Sequence, residues 1–201
     1  MVGIIDYGAG NLTSVIRAVE KLGAIYRVAS QPDELKLATS LIFPGVGHAA
    51  SAMERLRQAG WPEFLLQWAH AGKPLLGICL GSQILLEFSE EGNTTCLGLI
   101  PGSVKRFPDK LGVKIPQIGW NTVDFHDHPV FRGLDPRASY YFVHSYYTEV
   151  TYPAHRLGST EYGMVFTSAL GKDSIVAVQF HPEKSGQPGL QLLDQFLRWR
   201  P

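Results

Sequence analysis

The sequence predicts an α/β fold in which a central, mostly parallel sheet is flanked by helices and extended by antiparallel strands. Short apolar segments alternate with helical patterns in the first half of the chain, which is typical of a parallel sheet covered by helices. These segments show no apolar–polar alternation, so both faces of the predicted strands are expected to be buried. Between residues 97 and 180, β-branched and aromatic residues dominate, which predicts strands and hairpins laid against the first half.

The elements are predicted from apolar spacing and from the residues that end each run. Apolar residues recur at helical intervals between 11 and 22, behind the capping residue type Asn11, and Gly60 separates two later helical patterns. The first half is thus predicted to hold strands at 2–6, 24–29, 40–45 and 74–79, and helices at 11–22, 32–37, 48–59, 62–71 and 83–87. The second half is predicted to hold strands within 115–123, 138–150, 163–170 and 174–180, and a final amphipathic helix at 187–199.

Length, charge and cysteine content limit the class of protein. A chain of 201 residues without repeats or a linker segment predicts one domain, 1–201. Lys+Arg and Asp+Glu both number 18, and this balance disfavours binding to nucleic acid or to anionic membranes. The two cysteines, the absence of zinc-type spacing and the lack of a signal peptide predict a soluble cytoplasmic protein without metal or cofactor. His126 and His128 are read as residues of a polar turn.

Gly77 and Gly81 flank Cys79 at the point where the apolar strand 74–79 runs into a helical pattern. The same layout with serine forms the nucleophile elbow, a turn too sharp to leave room for side chains at the flanking positions. The turn places the thiol at the carboxyl end of a strand, and the N-terminus of the following helix favours the thiolate. A buried, inert cysteine is the alternative, and the paired glycines favour the nucleophile.

His181 and Glu183 supply a base and a group that orients it. Pro182 disfavours helical geometry in His181, and residues i and i+2 of an extended chain project to the same side, so Glu183 is expected to reach a ring nitrogen of His181. With Cys79 these residues form the nucleophile, base and orienter of a triad. Taken alone, the segment His181-Pro182-Glu183 is more simply explained as a surface loop. Its occurrence together with the glycine-flanked Cys79 favours a catalytic role.

Acyl transfer to Cys79 also needs donors for the charge that develops on the attacked oxygen. The backbone N–H of Leu80 is the expected first donor. The second is expected from Val46 and Gly47, after the strand 40–45, because glycine permits unusual backbone angles and a close approach to substrate. An ordinary strand-to-helix turn is the alternative for this segment.

Three segments resemble the class I, or triad, glutamine amidotransferases: PGVG at 44–47, GICLGSQ at 77–83 and QFHPEKS at 179–185. The resemblance spans essentially the whole chain and implies a single-domain, flavodoxin-like fold. It implies that Cys79 attacks the side-chain amide of L-glutamine to form a glutamyl thioester. His181, oriented by Glu183, would protonate the leaving ammonia and later activate water. Ser82 departs from the methionine or histidine that relatives often carry, and we expect it to be tolerated.

The resemblance also implies which residues hold the amino-acid end of glutamine. They are Gln83, Gly47, Glu91, His144, Ser145 and Tyr146. Gln83 ranks first, because it follows Cys79 by one turn on the same helix face. A solvated acid is an equally good explanation of Glu91.

Five segments are together similar to one subfamily, the glutaminase subunits of imidazole glycerol phosphate synthase: DYGAGNLTS at 6–14, PGVGH at 44–48, QIGWN at 117–121, FVHSYY at 142–147 and HPEKS at 181–185. This similarity implies a heterodimer with a (β/α)₈ cyclase subunit, which would consume the ammonia in histidine biosynthesis. The residues that it suggests for the contact are Asn11, Trp120, Asn121 and Lys184.

Alternatives to these assignments stay open. A tryptophan in an apolar strand is more often a core residue, so the sequence alone favours burial of Trp120. Lys184 fits a plain surface lysine equally well. For the function, the alternatives are the glutaminase component of anthranilate or aminodeoxychorismate synthase and a stand-alone cysteine hydrolase of small amides.

Overall fold

The computed structural model describes residues 1–8 and 12–201, so Asn11 lies outside the described residues. The strands are β1 (Val2–Ile5), β2 (Tyr26–Ala29), β3 (Ser40–Gly45), β4 (Leu75–Cys79), β5 (Phe88–Ser89), β6 (Thr94–Thr95), β7 (Gly102–Arg106), β8 (Gln117–Thr122), β9 (Asp124–Phe125), β10 (Ser139–His144), β11 (Tyr146–Val150), β12 (Arg156–Glu161), β13 (Val165–Lys172) and β14 (Ile175–Val178). The helices are α1 (Leu12–Lys21), α2 (Ala49–Gln58), α3 (Trp61–His70), α4 (Leu80–Ile84) and α5 (Gly186–Arg198).

The central sheet is parallel in one part and largely antiparallel in the other. Parallel pairing joins the strands in the order β2–β1–β3–β4–β14, which is the strand order of flavodoxin-like sheets. Antiparallel pairing then continues through β13, which lies beside both β11 and β12. β8 and β10 form a separate antiparallel pair. The predicted α/β class, with antiparallel strands from the second half, is confirmed.

Helices cover both faces of the parallel strands. α1 and α5 lie on one face, where Val19 and Phe196 belong to the same buried cluster as Ile42 of β3. α2, α3 and α4 lie on the other face, where Trp61 shares a cluster with Phe43. All residues of β1, β3, β4 and β14 are buried, as expected for strands that are apolar on both faces.

The helix predicted at 83–87 is wrong in its bounds. α4 begins directly after Cys79 and ends at Ile84. The carbonyl groups of Ile84, Leu85 and Leu86 accept hydrogen bonds from the amides of the 97–100 segment, with N···O distances between 2.8 and 3.0 Å. These contacts replace the bonds that a further helical turn would have made.

The carboxyl ends of the parallel strands meet at one edge of the sheet, where open α/β sheets place their sites. Gly45 at the end of β3 pairs with Cys79 at the end of β4, and Val178 at the end of β14 pairs with Ile78. The segment after β14 therefore starts beside Cys79. Among the described residues, no helix combines the length and apolar composition that crossing a bilayer requires.

Candidate active site

Cys79 sits at a strained turn between β4 and α4. Its φ is 54° and its ψ is −112°, a region that residues with a side chain rarely enter. A Cβ atom on Gly81 would collide with the carbonyl oxygen of Phe43 on β3, so the close approach of the turn to β3 requires glycine. Ser82 donates a hydrogen bond of 2.7 Å from its hydroxyl to the carbonyl oxygen of Cys79. This is the geometry of a nucleophile elbow.

His181 is held beside β10 and contacts Glu183. Its backbone N–H donates to the carbonyl oxygen of Tyr141 at 2.9 Å, and its φ of −102° is extended, as expected before a proline. Glu183 lies in a 3₁₀ turn (Pro182–Lys184) instead of the predicted extended chain. Its Oε1 is nevertheless 2.7 Å from Nδ1 of His181, and the two side chains are 2% and 3% exposed. The turn brings the pair together in place of strand alternation.

The charges around His181 favour its protonated form. Burial alone lowers the pKa of a histidine, but the negative charges of Cys79 and Glu183 outweigh burial and raise the pKa of His181. Nδ1 is occupied by Glu183, and Nε2 is buried without a hydrogen-bond partner among the described residues. The proton on Nε2 of the imidazolium is therefore available to a reacting group beside Cys79.

A cavity of about 400 Å³ is lined by both Cys79 and His181. This volume is within the range of small-molecule sites. The cavity is also lined by every residue predicted for the oxyanion hole or for glutamine binding: Leu80, Val46, Gly47, Gln83, Glu91, His144, Ser145 and Tyr146. The structure thus brings these residues together around the thiol, and their roles stay predictions. Gly47 has a φ of 99°, which favours glycine at this position.

Two of the predicted substrate contacts are anchored within the protein. Glu91 is half-buried, and its Oε2 accepts a hydrogen bond of 2.7 Å from the N–H of Ala49 at the start of α2. It is therefore not a freely solvated acid. Gln83 is buried on α4, and its Nε2 donates to the carbonyl oxygen of Tyr146 at 3.0 Å.

His144 has both ring nitrogens engaged inside the protein. Nδ1 lies 2.7 Å from the carbonyl oxygen of Tyr146, and Nε2 lies 2.9 Å from the side-chain amide of Gln117. Burial lowers the pKa of His144 to about 4, against the smaller effect of its hydrogen bond to Tyr146. The ring is neutral at pH 7 and leaves no free nitrogen for a ligand, so its part of the cavity offers backbone groups and the neighbouring Ser145.

Gln179 was not predicted, although it is the buried side chain that links Cys79 to Gln83. Its Oε1 accepts from Nε2 of Gln83 at 2.9 Å, and its own Nε2 lies 3.9 Å from Sγ of Cys79. The available signal was a polar residue, Gln179, between the apolar residues Val178 and Phe180 of the segment SIVAVQF. Tyr7 was also not singled out: its hydroxyl is buried without a partner in the described ranges, and burial and the charge of Cys79 raise its pKa.

The residues suggested for a partner contact differ in exposure. Trp120 is 59% exposed, so the core position that the sequence alone favoured is wrong. The reason is that β8 pairs only with β10 in the described part of the chain, and its even-numbered residues face solvent. Lys184 is exposed, with Nζ 5.8 Å from the centre of the Tyr141 ring. Asn121 donates from its side chain to the carbonyl oxygen of Glu161 at 2.8 Å.

The second cysteine lies away from the cavity. Cys96 is 9% exposed, and burial raises the pKa of its thiol to about 11.

His128 accepts a hydrogen bond from the N–H of Val130 at the start of a turn. Within 1–8 and 12–201, no three His, Cys, Asp or Glu side chains are grouped in a way that could hold a metal ion.

Sequence comparison finds relatives that align with nearly the whole chain. The chain is 47% identical over 204 residues to the imidazole glycerol phosphate synthase subunit HisH of Chloroflexus aurantiacus, covering 99% of this chain and 96% of that protein. It is 43% identical over 210 residues to the subunit of the same name from Nitrosomonas europaea, covering 100% and 99%.

Solved structures share the fold at low identity. A structure described as a glutamine amidotransferase superposes with a TM-score of 0.77 at 18% identity, covering 97% of this chain and 98% of that one. PurLQS from Thermotoga maritima superposes with a TM-score of 0.75 at 16% identity, covering 98% and 97%. The model of the family "Glutamine amidotransferase class-I" matches residues 3–199. With Cys79 and His181 lining one cavity and Glu183 bonded to His181, this match establishes that the chain belongs to the class-I glutamine amidotransferases.

Proposed function

We propose that this chain is a glutaminase, the ammonia-producing subunit of an imidazole glycerol phosphate synthase, and that residues 1–201 form one domain devoted to this reaction. The proposal rests on His181, which lines the same cavity as Cys79 and whose Nδ1 lies 2.7 Å from the buried carboxylate of Glu183. A nucleophile, a base and an orienting carboxylate are what acyl transfer from an amide requires.

The reaction takes place in two steps at Cys79. Its Sγ attacks the side-chain amide carbon of L-glutamine, and the N–H of Leu80 with the Val46–Gly47 segment stabilises the negative charge on the amide oxygen. The C–N bond breaks as His181 gives a proton to the nitrogen. Ammonia departs, and a glutamyl thioester remains on Cys79. His181 then takes a proton from water, whose oxygen attacks the thioester carbon; the C–S bond breaks, glutamate is released, and Cys79 returns as a thiolate beside the protonated His181.

The raised pKa of His181 suits the first of these steps. A protonated imidazole beside a thiolate provides the nucleophile and the acid for the leaving group together. Glu183 stabilises this imidazolium and fixes the ring through Nδ1. The part of the site that receives the amino-acid end of glutamine combines the Glu91 carboxylate, for the ammonium, with Gln83 and the backbone of residues 144–146.

A cyclase subunit is the proposed partner, and the proposed docking surface is the outer face of the β8–β10 pair. Ile118 and Trp120 are 57% and 59% exposed on this face, next to Tyr141 and Lys184. Large exposed apolar side chains rimmed by charge are typical of protein interfaces. Val143 of β10 and Pro116, directly before β8, line the cavity, so a partner seated here would lie beside the site that releases ammonia. We place the complex in the cytoplasm.

The proposal predicts that Cys79→Ala separates two activities of the complex. We would mix the chain with the cyclase subunit and its phosphoribulosyl aminoimidazole carboxamide substrate, and follow imidazole glycerol phosphate. With glutamine as the nitrogen source, Cys79→Ala should form no product, whereas with an ammonium salt it should match the wild type. The control is a chorismate-using synthase subunit in place of the cyclase. Glutamine-driven product formation with that partner alone would refute the proposed function.

A further inference from the structure

The side-chain amide of Gln179 lies between Cys79 and Gln83. Gln179 follows β14 directly, and the parallel pairing of Val178 with Ile78 places it beside Cys79 at the end of β4. The chain bends at Gln179 and Phe180 before it reaches His181. Gln179 has no exposed surface, so its polar atoms need partners inside the protein.

The hydrogen bonds fix the direction in which this amide points. Both donor bonds of Gln83 Nε2 are committed, one to the carbonyl oxygen of Tyr146 and one to Oε1 of Gln179. Because Oε1 of Gln179 accepts from Gln83, its NH₂ group is the end that faces Sγ of Cys79, at 3.9 Å. A buried N–H donor aimed at sulfur favours the thiolate over the thiol.

We propose that Gln179 is a positioning residue that holds the thiolate of Cys79 and the side chain of Gln83 in fixed relative positions. Its hydrogen bond to Gln83 fixes a side chain that lines the cavity. Its NH₂ group orients the sulfur of Cys79 and stabilises the negative charge of the thiolate. The effect on the thiol stands without the proposed function, and only the effect on glutamine rests on it. The titratable groups that face the sulfur are His181, backed by Glu183, and Tyr7. A substitution at Gln179 alters none of these three side chains.

The test measures the rate at which iodoacetamide alkylates Cys79 as a function of pH. A Cys96→Ala background leaves Cys79 as the one thiol in the sequence. Gln179→Met keeps the volume of the side chain and removes its donor. We expect its alkylation rate at pH 6 to fall about tenfold, and its profile to move up by about one pH unit, with rates at pH 9.5 close to those of the parent. Thr160→Val is the control, because it removes a buried hydroxyl bonded to Ser168 and to the carbonyl oxygen of Thr122, and its profile should not move.

A second measurement does not depend on the folding of a Gln179 variant. The side-chain amide protons of Gln179 should change their NMR shifts when Cys79→Ala removes the sulfur, and those of Gln117 should not. An unmoved alkylation profile in folded Gln179→Met, or unchanged Gln179 amide shifts in Cys79→Ala, would overturn the inference.

The outcomes also separate this inference from the proposed function. If the wild type does not hydrolyse glutamine but Gln179→Met shifts the alkylation profile, the proposed function fails and the inference stands. If glutamine is hydrolysed normally and the alkylation profile of the folded variant is unmoved, the inference alone fails. Where both hold, the KM of Gln179→Met for glutamine should also rise, because Gln83 loses one of its two anchors.

Discussion

At the scale of single residues, two histidines of one cavity are held in opposite charge states. His144 and His181 both lie in the wall of the cavity and are almost fully buried. His181 faces a carboxylate and a thiol, so its pKa is raised, whereas the contacts of His144 are a carbonyl group and an amide, so burial dominates and lowers its pKa to about 4. The site therefore holds one proton donor and one neutral ring, set by what each ring contacts.

The lowered pKa of His144 predicts a pH dependence of stability. The unfolded histidine binds a proton as the pH falls through about 6.5, while the folded one stays neutral down to about pH 4, so stability is lost as the pH falls. Between pH 7 and pH 5 this group should cost about 2 kcal/mol of unfolding free energy. Urea unfolding at both pH values should show that His144→Gln loses about 2 kcal/mol less than the wild type. Equal losses in the two proteins would contradict the assignment of a neutral His144.

At the scale of elements, the β4–α4 turn depends on its close packing against β3. Gly81 is the tightest point, because a Cβ atom there would meet the carbonyl oxygen of Phe43, which is backbone and has little room to move. The pairing of Gly45 with Cys79 ties the end of β3 to the nucleophile. The segment with Val46 and Gly47 follows directly, so displacement of this turn would also displace the proposed oxyanion donors.

Gly81→Ala should therefore cost more stability than an ordinary glycine substitution. The matched control is Gly23→Ala, where φ is +69° and no atom lies within 4 Å of the added Cβ, so only backbone strain of about 1 kcal/mol is expected. For Gly81→Ala we expect about 3 kcal/mol or more, because packed backbone must move. Urea unfolding of both variants measures the difference. Equal costs would show that the turn is not as tightly packed as described.

The secondary-structure elements also show which features could be predicted from the sequence and which could not. The largely apolar strands β3 and β4 and the contact between His181 and Glu183 depend on residues close in sequence, and the structure has both. The end of α4 at Ile84 was not predictable, because amides of the 97–100 segment bind its carbonyl groups. The contact of Gln179 with Cys79 depends on strand pairing between residues about a hundred positions apart. The exposure of Trp120 depends on β8 having β10 alone as a neighbour among the described strands.

At the scale of the whole molecule, the cavity and the proposed docking face adjoin. The cavity lies at the carboxyl edge of the parallel strands, and β8 and β10 extend beside it with Ile118 and Trp120 exposed. Leu37 is 88% exposed but lies at the opposite edge, where Thr39 bonds to Met1 before β1. Leu37 and Trp120 are thus both exposed and apolar, and of the two only Trp120 lies on the strand pair beside the cavity.

Trp120→Ala should weaken binding of the cyclase subunit, whereas Leu37→Ala should not. Buried tryptophans dominate many interfaces, and we expect the Kd to rise about thirtyfold for Trp120→Ala and to stay within about twofold for Leu37→Ala. Isothermal titration calorimetry measures both. Because Trp120 is 59% exposed in the isolated chain, its loss should leave the Tm nearly unchanged. Equal Kd values for the two variants would contradict the proposed docking face.

Comparing the two cysteines tests the assignment of the nucleophile. The rate of glutamate release from L-glutamine, measured with the cyclase subunit bound, should fall at least about a thousandfold in Cys79→Ala, because the nucleophile is lost. Cys96→Ala should stay within about twofold of the wild type, because its thiol is buried away from the cavity. Wild-type glutamate release by Cys79→Ala would contradict the assignment of Cys79 as the nucleophile.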